Sequence, residues 1–264
     1  MENRFDLTGK VAVVTGATGT FGSEFSRVFC ENGASLVMAV RDKEKGEAFA
    51  EKLRAEYQTE VLVLIWEATD VESIKKLAKD AHAWKGHVDV VVNNAGGNRT
   101  TSSAHFFDRS DEDIRIGIEM NLMNVLYCCR EFGRIMKEQK SGSIINIASM
   151  AGLIGRDRRM YYKCGKNENL VDYSAAKGGV ISATRDLAAV LGPYGVRVNS
   201  ISPGGFDNGC PEDFQALYGD DTPLGRMGKG GQELGGAALF LASDASSYVT
   251  GHNLVVDGGF TAWR

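Results

Sequence analysis

Between Lys10 and Gly33 the chain sets a strand, a glycine-rich turn and a helix in immediate succession, and few folds accommodate that order. Lys10–Val14 (KVAVV) is a short apolar, β-branched run of the kind that forms a strand covered on both faces. It passes into Thr15-Gly-Ala-Thr-Gly-Thr-Phe-Gly22 and then into the helical pattern SEFSRVFCENG, which Gly33 closes. Glycines in such a turn let backbone approach a pyrophosphate. The helix behind it offers unpaired N–H groups and the positive end of its dipole. The alternative is an ordinary strand-to-helix turn, which the context makes the weaker reading.

The same alternation continues to the end of the chain. Ser35–Val40 is a second strand, followed by a charged helix over DKEKGEAFAEKLRAEY, and Val61–Ile65 a third. VESIKKLAKDAHAWKG reads as a helix, and Val88–Val92 as a fourth strand leading into Asn93-Asn-Ala-Gly96. After the polar stretch GNRTTSSAHFFDRS, the acidic start DED suits the N-terminus of one long helix reaching about Lys137. Ser143–Ile147 is a fifth strand, ending at Ala148-Ser149. A helix over DYSAAKGGVISATRDLAAVL precedes a sixth strand, VRVNSIS, which runs into Pro203-Gly204. Residues 205–229 read as loop with one short helix, before a last helix, GQELGGAALFLAS, and a last strand, NLVVDG. Strands alternating with helices imply an α/β fold with a doubly wound parallel sheet. No linker or solenoid-period repeat divides residues 1–264, so one domain is expected.

Composition bounds the function classes. A net charge of −4 gives no general attraction to nucleic acid or to an anionic membrane. The start of the chain shows no charged-then-apolar targeting segment, and no apolar run approaches the roughly 18 residues of a membrane span. Cys30, Cys128, Cys129, Cys164 and Cys210 have no C-x-x-C spacing. They read as reduced thiols, mostly small core residues, with Cys164 in a polar loop where it would be accessible. A cytoplasmic location and no metal site are the expectation.

Tyr173 and Lys177 lie four apart in a helical run and so share one helix face. A free tyrosine ionises near pH ~10, too high for a proton acceptor at neutrality. An ammonium beside the phenol favours the phenolate and lowers that value. Alone, the spacing is common in surface helices. Its weight comes from company: a Thr-Gly turn after the first strand, NNAG after the fourth, Ser149 after the fifth, then YSAAK.

Taken together, from LTGKVAVVTGA to VTGHNLVVDGGF, these landmarks resemble the single-domain branch of the short-chain dehydrogenase/reductase family. The resemblance implies a Rossmann-type domain of about seven strands, a homotetramer or dimer, that moves a hydride between NAD(P) and a carbinol or carbonyl. It implies that Tyr173 is the proton donor and acceptor, and that Lys177 lowers its pKa and binds the nicotinamide ribose. Ser149 would hold the substrate oxygen, and Asn121, in MNLMNV, a water of a proton relay. Asn121 and Ser149 also have bland readings, as a buried amide serving backbone groups and as a turn residue. The cofactor set implied is Gly16, Thr18, Gly19, Thr20, Phe21, Gly22, Arg41, Glu67, Ala68, Asn94, Ala95, Gly96, Pro203, Gly204 and Phe206, with Tyr173 and Lys177.

Three departures from the family pattern stand out. Thr20 occupies the place of the middle glycine and puts a hydroxyl near the pyrophosphate. Asn208 stands where a cofactor-contacting threonine is common. Ser149 and Tyr173 are 24 positions apart instead of about a dozen, so about ten extra residues lie in RDRRMYYKCGKNENLV, within an inserted loop at 153–171. Arg156, Arg158, Arg159, Lys163 and Lys166 make that loop basic in an acidic chain. It is either a solvated loop or a lid or subunit contact meeting an anionic or hydroxyl-rich substrate, with Arg156, Arg158 and Arg159 the candidate contacts.

The ending VDGGFTAW and the long insertion look like sugar-acid oxidoreductases of the gluconate or mannonate type, so the expected substrate is a secondary alcohol or ketone of a sugar, sugar acid or polyol. Reduction of a 3-ketoacyl thioester or another small ketone is the alternative, and a silent cofactor-sensing regulator a third. For the cofactor, the second strand ends at Val40, which cannot accept hydrogen bonds from an adenosine ribose. Arg41 follows and can pair with a 2′-phosphate, unless Asp42 neutralises it. NADP is therefore expected over NAD.

Overall fold

The computed structural model describes residues 3–97, 104–165 and 170–263. Lys166 and residues 98–103 of the polar stretch after Gly97 lie outside the described residues. Seven parallel strands form one sheet in the order β3-β2-β1-β4-β5-β6-β9. They are β1 (Val11–Thr15), β2 (Ser35–Val40), β3 (Val61–Ile65), β4 (Val90–Asn93), β5 (Gly142–Ile147), β6 (Val196–Pro203) and β9 (Asn253–Val256). Each crossover carries helix: α1 (Thr20–Glu31), α2 (Lys43–Tyr57), α3 (Val71–Lys85), α4 (Asp111–Ile118), α5 (Asn124–Gln139), α7 (Val171–Leu191) and α9 (Gly235–Ala242). A short helix α6 (Arg159–Lys163), a helix α8 (Glu212–Asp220) and a two-stranded ribbon of β7 (Phe206–Asp207) and β8 (Gly228–Lys229) complete the elements. The expected doubly wound α/β sheet of about seven strands is what forms.

Alternation within the apolar strands decides which helix each residue meets, because successive side chains leave a strand on opposite faces. Val11 and Val13 join Val37, Ala39 and Val91 in a core closed by Ile74, Leu77, Val125, Phe132, Val180 and Ile181 of α3, α5 and α7. Ala12 and Val14 face the other way, with Leu36, Met38 and Val92, against Phe25, Phe29, Leu53 and Leu241 of α1, α2 and α9. Burying each large side chain stabilises by roughly 1.5–3 kcal/mol, so both faces hold the sheet firmly. A third cluster lies off the sheet: Met150, Met160, Tyr161, Phe214, Tyr218, Met227 and Phe260.

The helix expected from DED to Lys137 is not one regular helix. Between α4 and α5 the chain makes a π-helical turn, Glu119–Met123. An extra residue per turn frees backbone groups from the regular ladder, and such turns gather at functional sites. Asn121 sits in the middle of it. Residues 205–229 follow the expectation of loop and one helix, α8, with the small ribbon added. No helix among the described residues is long and apolar enough to cross a membrane.

Candidate active site

Strand order reverses between β1 and β4, and in open α/β sheets the crevice at the carboxyl ends beside such a reversal is the ligand site. A cleft of about 470 Å³ lies there. Gly16, Gly19, Thr20 and Phe21 line it from the first turn and Arg41 from the end of β2. Asn94–Gly97 come from β4, Ile147–Ser149 from β5, Pro203, Gly204, Phe206 and Asn208 from β6 onward, and Met120, Tyr173 and Lys177 from the helices.

The glycine turn is shaped by sterics. A Cβ on Gly22 would overlap the Gly16 carbonyl oxygen and come within 2.9 Å of Asn94 Nδ2, so only glycine lets α1 start so close under the turn. Gly19 is the N-cap of α1 and no side chain caps it, leaving the first N–H groups to face the cleft. Thr15 couples this turn to NNAG: its hydroxyl accepts from Asn94 N and Ala95 N, both at 3.0 Å, while Asn94 Nδ2 donates back to Thr15 O at 2.8 Å. Asn124 Nδ2 donates to Ala95 O at 3.1 Å, fastening the loop from the helix side. Thr15 and Asn124 were not among the residues expected from sequence; a hydroxyl at a strand end and an asparagine one turn from Asn121 are the signals that could have found them.

Asn121 is buried and its side-chain amide serves backbone groups. Its Nδ2 donates to Gly97 O at 2.9 Å and Gly117 O at 3.0 Å, and its Oδ1 accepts from Gly97 N at 2.8 Å. The amide thus ties NNAG to the π turn, and its polar atoms are engaged by backbone.

Ser149 and Tyr173 meet because two backbones touch. A Cβ on Gly152 would lie 2.6 Å from Gly178 N, so glycine lets the turn after β5 press directly on α7. Ser149 Oγ, at that turn, accepts from Ala151 N at 3.1 Å. Lys177 is buried; its Nζ donates to Ile147 O at 2.7 Å and lies 5.7 Å from the Tyr173 ring centroid. Desolvation pushes the Lys177 ammonium down to about 8. Burial pushes the Tyr173 phenol above its ordinary value, opposed by a hydrogen bond from Ser149 and then by the charge of Arg156. Lys177 is turned onto the β5 carbonyl and stays beside the Tyr173 ring.

Arg41 is exposed on the rim of the cleft, and the competing Asp42 is otherwise engaged, accepting from Lys45 N at 3.0 Å as the N-cap of α2. Four expected cofactor residues fall outside the lining. Gly22 acts through the turn. Thr18 and Ala68 do not reach the cleft, and the Glu67 carboxylate turns toward Thr69 N and its hydroxyl. Asn208 does line the cleft, at the position where a threonine was expected.

The inserted loop is not simply solvated. Met160 and Tyr161 of α6 are buried against Phe214 and Tyr218 of α8. Cys164, expected to be accessible, is half-buried in the same cluster. Of the three arginines, Arg159 is exposed and paired with Asp157 at 2.6 Å, and neither Arg158 nor Arg156 reaches the cleft lining. Among the described residues no cluster of His, Cys, Asp or Glu could hold a metal.

Fold and cleft together define the class, an α/β dinucleotide-binding domain of Rossmann type. A family described as enoyl-(acyl carrier protein) reductase matches residues 16–261. An NADP-dependent mannitol dehydrogenase of Hypocrea jecorina is 35% identical, over 97% of this chain and 94% of its own. A 3-oxoacyl-[acyl-carrier-protein] reductase of Chlamydia trachomatis is 33% identical, over 96% and 98%. The solved structure of a gluconate 5-dehydrogenase from Burkholderia cenocepacia, in complex with NADP and tartrate, superposes with a TM-score of 0.87 at 30% identity, over 99% and 98%. The chain belongs to the short-chain dehydrogenase/reductase family of enzymes.

Proposed function

We propose that this enzyme transfers a hydride between NADP(H) and the secondary alcohol or ketone carbon of a sugar, sugar acid or polyol. The observation that carries the reading is the convergence of Ser149, Tyr173 and Lys177 on one cleft with an uncapped helix N-terminus and a glycine turn. The residues fit a dinucleotide: a Cβ would fill the cradle at Gly22, and Gly16, Gly19, Thr20 and Phe21 present backbone and a hydroxyl for the pyrophosphate. Arg41 would take the 2′-phosphate, Asn94–Gly96, Pro203, Gly204 and Phe206 would wall the nicotinamide half, and Lys177 would hold its ribose. When bound, the nicotinamide gives or accepts the hydride. Tyr173 gives or takes the hydroxyl proton, and Ser149 orients the reacting oxygen and stabilises charge on it.

The mannitol dehydrogenase and the gluconate 5-dehydrogenase support the polyhydroxylated substrate class, and their names support NADP. Reduction of a 3-ketoacyl thioester is the second reading, favoured by the chlamydial relative. One experiment separates them: nicotinamide absorbance followed with NADP(H) and NAD(H) over polyols, ketoses, sugar acids, keto acids and a 3-ketoacyl thioester. Fastest turnover of the thioester would replace the reading, and cofactor binding with no turnover of anything would make the protein a sensor. We further infer a cytoplasmic homo-oligomer, a dimer or tetramer. Edge strand β9 carries the exposed Val255, with Tyr248 exposed just before it, which supports self-association there. Light scattering tests this.

A further inference from the structure

Tyr218 of α8 touches the walls of the cleft without lining it. The residue is buried, yet its hydroxyl meets two segments that belong to those walls. It accepts from Gly205 N at 2.5 Å and donates to Met150 Sδ at 3.5 Å. Gly205 lies between Gly204 and Phe206, both in the lining, and Met150 follows Ser149 directly. One phenol thus joins the segment after β6, which would wall the nicotinamide half, to the turn after β5, which carries Ser149.

This bridge is held rigidly. A Cβ on Gly205 would lie 2.6 Å from Tyr218 Cε2 and Cζ, so only glycine lets the chain pass directly against the ring. On its other side the ring stacks on Phe260, with centroids 4.8 Å apart, and Phe214 stands one turn away on α8 at 6.4 Å. Phe214 packs in turn on Tyr161 of α6, at 5.4 Å, so the inserted segment between Ser149 and Tyr173 braces the helix that carries Tyr218. Burial pushes the phenol up to about 12, and the hydroxyl therefore keeps its proton and can accept and donate at once. Phenylalanine would fill the same apolar space. Burying a hydroxyl there costs free energy unless it is bonded, and both of its bonds go to cleft walls.

We propose that Tyr218 is a positioning residue for the nicotinamide half of the dinucleotide, its hydroxyl fastening the Gly204–Phe206 wall to the Ser149 turn. This rests on the cofactor reading above and adds to it a residue that acts only through Gly205 and Met150. The insertion then has a reason: α6 braces α8, and α8 holds the bridge.

Tyr218→Phe removes the hydroxyl and keeps the ring. The test compares its affinity for NADPH, by fluorescence titration, with its affinity for adenosine 2′,5′-bisphosphate, by calorimetry. The bisphosphate carries the adenosine end of NADPH and lacks the nicotinamide. NADPH is expected to bind about 10-fold more weakly than to wild type, the range for a hydrogen bond whose donor is left unpaired, with the bisphosphate unchanged within about twofold. A merely structural role would weaken both ligands together. Unchanged NADPH affinity overturns the proposal, and so does an equal loss for the two ligands. Wild type that does not bind NADPH removes the cofactor reading and the proposal with it. A loss confined to NADPH, in a protein that turns over nothing on the substrate panel, upholds the proposal and removes the oxidoreductase reading instead.

Discussion

Arg109 and Asp172 form an ion pair with side chains 0% and 3% exposed, and Asp172 immediately precedes Tyr173. Arg109 Nε lies 2.9 Å from one carboxylate oxygen and Nη2 donates to the other at 2.9 Å, while Nη2 also reaches Asp113 O at 3.2 Å. At that separation and an effective dielectric of about 20 the attraction is on the order of 6 kcal/mol. Desolvation of both ions offsets much of it, so the pair adds little net stability. Removing one partner is different, because the other stays buried and charged. Arg109→Met should destabilise by about 3–5 kcal/mol, a large part of a typical 5–15 kcal/mol total. Arg109→Met with Asp172→Leu should recover most of that loss, since no charge is left uncompensated. Urea unfolding followed by circular dichroism reads both, as does a double-mutant cycle. A single variant that loses less than about 1 kcal/mol behaves as a surface pair, and a double variant as unstable as the single one also refutes the reasoning. The recovered double variant then reports on position: if the pair aims the N-terminus of α7, kcat stays low while NADPH affinity is normal.

Four further outcomes follow from the site. Tyr173→Phe should lower kcat by 10²–10⁴-fold, the usual range for a general acid–base group, with NADPH Kd within about twofold by fluorescence titration. Arg41→Ala should weaken NADPH at least tenfold and leave NADH roughly unchanged, and wild type binding NADH the more tightly would refute the cofactor assignment. Gly22→Ala should cost about 1–3 kcal/mol of stability and lower dinucleotide affinity, because its Cβ would overlap Gly16 O; wild-type values for both would mean the turn can relax. Lys177 has a folded pKa of about 8 against an ordinary 10.5, so between those values the unfolded chain binds the proton and the folded chain does not. The contribution of this group to stability therefore rises with pH across that window. Lys177→Met should be more stable than the cofactor-free wild type below pH ~8, and melting curves should show that advantage shrinking towards pH ~10.

Much of the molecule could be read along the chain because its signals are local. Apolar β-branched runs, helical periodicity and glycine turns recur in a strict order, and strand edges differed from expectation by only a residue or two at β1, β4 and β5. Ser149, Tyr173 and Lys177 were recognisable because each follows a strand end or shares a helix face at a set distance. The π turn at Glu119–Met123 was not, since it depends on Asn121 being drawn to Gly97, a partner 24 residues away. Arg158 and Arg159 looked equal to Arg156 in sequence, and composition cannot say which way a loop cation points.

The sequence alone therefore determined the alternation, the sheet, the glycine cradle and the spacing of the candidate reacting groups, all of which rest on neighbours within a few residues. Tertiary structure decided their electrostatics. Asp42 caps α2 and leaves Arg41 to the cleft, Lys177 bonds Ile147, and packing of α6 on α8 holds Arg156 over the Tyr161 and Phe260 rings. Charge effects fall with distance and with solvent access, and both are fixed only when segments far apart in the chain are packed together.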